Sequence, residues 1–201
     1  YRREVIMNRK AIAERNTSET NIRVSIDLDG SGKQKIDTGV KFFDHMLSGF
    51  ARHGLFDLEV SCQGDLEIDC HHTIEDIGIV MGEAIAKALG EKTGIARYGH
   101  FLLPMDEALI LCAVDLGGRP YLIFDADFRS PACGDMDTQM VREFFYAVSY
   151  SARMNIHIKE LYGSNDHHVM EAIFKAFARS LRTACEKDLR MTGIPSTKGV
   201  L

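Results

Sequence analysis

The chain has no apolar run approaching the ~20 residues needed to cross a bilayer, which argues against a membrane-spanning helix. It has no surplus of positive charge. Twenty-four Lys and Arg face 29 Asp and Glu, and the net charge of −5 argues against a general nucleic-acid binder. It has no paired cysteine spacing. Cys62, Cys70, Cys112, Cys133 and Cys185 are odd in number and include no CxxC, so reduced thiols in a cytoplasmic compartment are expected. The first residues, Tyr1 to Met7, contain no apolar h-region, so no secretory signal is expected, and Met7 is a candidate native start. There is no low-complexity linker. What remains is ordinary globular composition, 45% hydrophobic and 26% charged, in 201 residues, enough for one large domain or two small ones.

Against that plain background, one pattern occurs twice. His71-His72-Thr73-Ile74-Glu75 and His167-His168-Val169-Met170-Glu171 share the form HHxxE, each residue of the second lying 96 positions after its counterpart. In a helix, residues i and i+4 lie one turn apart on nearly the same face, so His71 can share an ion with Glu75, and His167 with Glu171. The second histidine of each pair points about 100° away and can serve a different ion. A lone His pair is commonly a surface accident. Two copies, each with a carboxylate at i+4 and each opening an apolar helix, point to a two-metal centre. Imidazole and carboxylate without thiolate suit manganese, iron, cobalt or zinc. Cys70 adjoins the first motif, but a small buried filler is the better reading for it.

The rest of the chain repeats in the same sense. Strands are expected over 21–28 and 35–38, a helix over 42–52, a strand over 55–63 and a helix over 71–89. The second half follows with strands at 108–116 and 120–126, a helix at 138–152, a strand at 155–161 and a helix at 167–187. Gly117-Gly118 reads as a hairpin turn. The fold class is therefore α/β (α+β), a tandem duplication of a β-β-α-β-α unit with mixed sheets and helices on one face of each. Residues 1–92 form one half and 93–201 the other, packed as one unit. The shorter helices align His45 with Glu143, which makes both candidate ligands. His53, His100 and His157 have no histidine counterpart, and a structural role or one supporting the ligands is expected for each.

These residues resemble the imidazoleglycerol-phosphate dehydratase family. The resemblance runs from Glu14 to Leu201 and rests on Arg15-Asn16-Thr17-Ser18-Glu19-Thr20, Phe43-Asp44-His45-Met46-Leu47, Asp69-Cys70-His71-His72-Thr73-Ile74-Glu75-Asp76, Ala96-Arg97-Tyr98-Gly99, Pro104-Met105-Asp106-Glu107-Ala108, Gly118-Arg119-Pro120-Tyr121, Asn165-Asp166-His167-His168 through Phe177, and Pro195-Ser196-Thr197-Lys198-Gly199. It implies a lyase of L-histidine biosynthesis that converts D-erythro-imidazole-glycerol phosphate to imidazole-acetol phosphate and water through a metal-stabilised imidazolate. It implies two Mn2+ per active site. His45, His72, His167 and Glu171 would hold one ion, and His71, Glu75, His168 and residue 143 the other. Some family members have histidine at that last place, whereas this chain has Glu143.

The resemblance further implies a substrate phosphate held by Arg97, Arg119, Lys175, Ser196, Thr197 and Lys198, and a large cubic homo-oligomer of 24 subunits with sites between subunits. Nucleic acid and membrane are not expected partners. Glu75 and Glu171 would act at the catalytic centre as ligands, and the resemblance implies Glu19 as the free carboxylate that moves a proton, with Asp106 and Glu107 as lesser candidates. Two other readings share this ligand set: a dinuclear metallohydrolase, which would release inorganic phosphate or a cleaved ester, and a non-enzymatic metal-binding shell, which would assemble without turnover.

Overall fold

In the computed structural model, residues 9–201 are described; Tyr1 to Met7, with the candidate start, lie outside them. The first half runs β1 (Lys10–Asn16), β2 (Thr20–Asp27), β3 (Gln34–Asp37), α1 (Lys41–Gly54), β4 (Asp57–Gly64) and α2 (His71–Leu89). The second runs β5 (Tyr98–Met105), β6 (Ala108–Asp115), β7 (Tyr121–Asp125), the short hairpin β8 (Ala132–Cys133) and β9 (Met136–Asp137), then α3 (Met140–Ala152), β10 (Asn155–Tyr162) and α4 (Asp166–Cys185). The expected elements are all present, but each half opens with one more strand. β1 and β5 make the repeat β-β-β-α-β-α.

The two four-stranded sheets have the same order, β1-β2-β4-β3 and β5-β6-β10-β7. In each, the fourth strand of the repeat enters between the second and third, antiparallel to one and parallel to the other. Gly117-Gly118 is therefore not a hairpin turn, because β10 separates β6 from β7. The physical reason lies in the alternation. Leu58 and Val60 of β4, and Ile156 and Ile158 of β10, are buried, so these strands take the central places.

One face of each sheet carries the helices. α2 lies on β1 and β2, and α4 on β5 and β6. The helices then pair across the halves, α2 with α3 and α1 with α4. Gly78 and Gly82 let α2 approach closely. A Cβ at Gly78 would meet the Phe144 carbonyl oxygen at 2.9 Å and Ala147 Cβ at 2.8 Å, and one at Gly82 the Val148 carbonyl oxygen at 2.9 Å. The equivalent positions of α4 hold Phe174 and Ala178. Phe174 fills the centre, with its ring 5.3 Å from Phe144, 5.1 Å from Phe145 and 6.2 Å from Phe43. Because it is fully buried, Phe174→Ala should cost about 3–5 kcal/mol and lower the melting temperature by roughly 6–20 °C. A thermal scan showing a drop of a degree or less would mean the centre of the core lies elsewhere.

Candidate metal and substrate site

Both HHxxE motifs occupy the first turn of their helices, and both are capped from the same relative position. Asp69 Oδ1 accepts the His71 N–H at 2.7 Å, and Asn165 Oδ1 accepts the His167 N–H at 3.0 Å. These side chains satisfy donors that a helix start leaves open.

At the α4 motif the packing of α1 brings in His45. Its Nε2 lies 3.5 Å from Glu171 Oε2, and His167 Nε2 lies 3.2 Å from the same oxygen. One ligand atom from each of the three lies within 4.8 Å of the others. Phe42 sets its ring edge-on to both imidazoles. Burial pushes the Glu171 carboxyl up, but the Lys175 ammonium at 2.7 Å, with His45 and His167, outweighs it and holds the group below the usual carboxylate range. Glu171 is thus ionised and ready to ligate. Two imidazoles and a carboxylate fit a divalent first-row metal.

The α2 motif is less complete. His71 Nε2 and Glu75 Oε2 are 3.7 Å apart, both half exposed. No third ligand joins them among the described residues. Glu143 turns instead toward Arg142, 3.7 Å away, and lines a cavity of about 500 Å³ with Phe124, Phe128 and Gln139.

The second histidines point elsewhere. His72 Nδ1 lies 2.9 Å from Asp65 and 3.8 Å from Glu19, and these three also form a ligand-like group. His168 Nδ1 lies 2.7 Å from Glu107. The hydrogen bond to Asp65 raises the His72 pKa, and that to Glu107 raises the His168 pKa. The Glu107 carboxyl is correspondingly drawn down to about 2, first by His168 and then by backbone N–H groups. Glu107 is committed to these partners and is a poor proton acceptor. Within one chain, then, His72 does not join His45, His167 and Glu171, and His168 does not join His71 and Glu75.

Glu19 sits on the β1–β2 turn, where its N–H bonds to Thr17 Oγ1 at 3.1 Å. The turn is tied to the motif helix by buried Asp76, which accepts from Thr20 Oγ1 at 2.6 Å and from Arg15 Nε at 2.9 Å. Arg15 is therefore spent on Asp76, leaving Glu19 exposed beside His72. The carboxylates Asp65 and Asp76 carried no sequence signal as site residues.

Arg97, Arg119, Ser196, Thr197 and Lys198 come together around a cavity of about 380 Å³, joined by Arg153. Arg97 is already paired with Asp115 at 2.8 Å and donates to the Pro195 carbonyl at 2.9 Å, so it anchors the C-terminal segment. Arg119 is exposed. Lys175 is not in this group. The Arg97 N–H bonds to the Ala184 carbonyl in the last turn of α4, whereas His167 is in the first, so the cavity lies about 25 Å along the helix from the same chain's α4 motif. The five cysteines are free, and burial pushes the Cys112 and Cys185 thiols up to about 12 and that of Cys62 to about 11. No cysteine joins a ligand group among the described residues.

Residues 38–181 match the family model described as imidazoleglycerol-phosphate dehydratase. The chain is 59% identical over 195 residues to the imidazoleglycerol-phosphate dehydratase of Acetivibrio thermocellus, covering 97% of this chain and 100% of that one. It is 56% identical to that of Lachnoclostridium phytofermentans, over the same shares. Among solved structures, it is similar to imidazoleglycerol-phosphate dehydratase from Staphylococcus aureus subsp. aureus N315, with 41% identity, 88% and 99% of the two chains covered and a TM-score of 0.80. The Pyrococcus furiosus enzyme in complex with (S)-C348 is similar at 38% identity, with 94% and 99% covered and a TM-score of 0.81.

Proposed function

The chain belongs to the imidazoleglycerol-phosphate dehydratase family of hydro-lyases, and from that premise we propose that it dehydrates imidazole-glycerol phosphate at a manganese centre assembled from two subunits. The observation that carries the reading is the division of the ligands. One chain gathers His45, His167 and Glu171 and, separately, His71 and Glu75, while His72 and His168 turn away from both sets, to Asp65 and Glu107. Juxtaposing the α4 motif of one chain with the α2 motif of another supplies each set with the histidine it lacks. Glu143 enters the second set as the carboxylate counterpart of His45. Two Mn2+ ions held in this way would supply the Lewis acidity that makes negative charge on the imidazole of the substrate affordable.

The protein's own groups do the rest. The exposed Glu19 carboxylate stands beside His72, at the rim of the same centre, and accepts the carbon-bound proton. Glu75 and Glu171 are occupied as ligands. Arg119, Lys198 and the Ser196 and Thr197 hydroxyls bind the phosphate, Arg97 holding their segment in place. Since this cavity lies far from the same chain's α4 motif, the phosphate is gripped next to a centre shared with a neighbour. Lys175 serves Glu171 and reaches the substrate from that side.

Self-association is supported by the outer face of the second sheet. Tyr98, Leu102, Tyr121, Ile123 and Leu161 are exposed there, whereas the matching face of the first sheet shows Lys10, Arg23, Glu59 and Gln63 to solvent. Ile12 is exposed on the first sheet and the Lys159–Asp125 pair on the second, so the second face is the more apolar of the two, which suits a closed homo-oligomer, here a cubic 24-subunit particle. No helix among the described residues is long and apolar enough to cross a membrane, and free cysteines, none of them in a disulfide, suit the cytoplasm.

The test is incubation with imidazole-glycerol phosphate and Mn2+, following the acetol phosphate. Two bound ions with no dehydration would refute the reading, and release of inorganic phosphate would favour a metallohydrolase. Arg119→Ala should raise KM about tenfold to a hundredfold, as expected for losing a charge-assisted phosphate contact, with metal content unchanged. An unaltered KM would remove Arg119 from the phosphate site.

A further inference from the structure

Glu107 lies in the two-residue turn between β5 and β6 and meets the start of α4 at three points. Its Oε1 accepts the N–H groups of Ser164 at 3.2 Å and Asn165 at 2.7 Å. Its Oε2 lies 2.7 Å from His168 Nδ1. A carboxylate has no proton to give, so Nδ1 is the donor, and Nε2 of the neutral ring carries the lone pair. Asp106 Oδ2 is 3.6 Å from Nε2, too far for a hydrogen bond that would reverse this.

We propose that Glu107 is a positioning residue that locks His168 in the Nδ1–H tautomer and presents Nε2 to the metal ion of a neighbouring subunit. The inference rests on the reading of His168 as a ligand. A histidine that binds metal through one nitrogen commonly donates its other N–H to a carboxylate, which fixes both ring angle and tautomer. His72 has the same arrangement with Asp65 at 2.9 Å, although Asp65 comes from the β4–α2 connection and Glu107 from a β-turn. The two halves thus reach one geometry from positions that the duplication does not relate. Contacts to Ser164 and Asn165 alone would make Glu107 a brace for the helix start, and the test must separate these roles.

Glu107→Gln keeps the shape, and its amide oxygen can still accept the two backbone N–H groups. Its NH2 would face Nδ1 and drive the ring proton to Nε2. Mn2+ binding to the full chain, followed by the electron paramagnetic resonance of the free ion, should weaken about 10–100-fold for one of two ion classes and stay unchanged for the other. In a His168→Ala background, Glu107→Gln should have no further effect on ion affinity. An equal loss in both backgrounds overturns the proposal, since Glu107 then acts through the helix start. Unchanged binding in the otherwise native chain overturns it as well. A native chain that binds no Mn2+ overturns the metal reading itself, and is told apart because no substitution is needed to see it. Should Glu107→Gln misfold, imidazole 15N shifts of His168 in the metal-free native chain, followed upward in pH until the ring is neutral, decide the matter: an Nδ1–H ring is expected, and an Nε2–H ring overturns the proposal.

Discussion

Two inactive variants should restore one another. His72→Ala and His168→Ala are each expected to abolish turnover, because each removes one ligand from one of two ions that act on the same ring. In the proposed centre, His71, His72, Glu75 and Glu143 come from one subunit, and His45, His167, His168 and Glu171 from another. A site between the α2 motif of a His168→Ala chain and the α4 motif of a His72→Ala chain then lacks nothing. Co-assembly of the two variants in equal amounts should return about a quarter of native activity, the share of sites that random mixing in a closed oligomer makes intact. Sites built within one chain would leave the mixture as dead as its parts. The readout is specific activity of co-expressed particles against each variant alone. An inactive mixture with both variants shown in the same particle would rule out the shared centre.

Glu19→Gln is expected to lose about 10²–10⁴ in kcat, the usual contribution of a positioned base. The amide keeps the side-chain shape but cannot take the proton. Two ions and the substrate should still bind, because Glu19 touches His72 only at 3.8 Å, and the turn that carries it is held by Thr17, Thr20 and Asp76 rather than by Glu19 itself. Single-turnover kinetics with metal analysis check this. Near-native turnover would pass the role to Asp106, since Glu107 is already bonded to His168 and two backbone N–H groups.

The helices were legible because their apolar faces recur at helical spacing. The 71–89 helix has Ile74, Ile77, Met81, Ala84 and Ile85 buried along one side, and its observed bounds equal those expected. β1 and β5 were not legible. β1 reads Lys-Ala-Ile-Ala-Glu-Arg-Asn and buries only Ala13, because an edge strand exposes most of its side chains. β5 contains Gly99 and Pro104, which speak against a strand unless it lies at an edge, as this one does. The order of strands was hidden too, since a Gly-Gly turn looks the same whether it closes a hairpin or begins a crossover.

In the site, the ligand types were visible in the two motifs and their grouping was not. His45 meets His167 and Glu171 only because α1 crosses α4, a contact between elements more than a hundred residues apart in sequence. The divergence of His72 and His168 from His71 and His167 follows from the 100° step between neighbours on a helix, which the sequence carries. Their partners Asp65 and Glu107 come from separate loops, and nothing in local spacing marks them.

The contrast between Gly78 and Phe174 bears on how the chain could have arisen and what can no longer be undone. These residues hold the same place in the two copies, yet one admits a neighbouring backbone and the other fills the void at the centre. A chain made of the second half twice would put a phenylalanine where even a methyl group meets the Phe144 carbonyl oxygen at 2.9 Å. A chain made of the first half twice would have glycine where the central ring belongs, and would lose Phe144 and Phe145, which pack against that ring, along with it. If an ancestor was a symmetric pair of identical units, its descendants have become lock and key. Neither half can now replace the other, and a recombinant built from one of them should fail at this crossing before any question of chemistry arises.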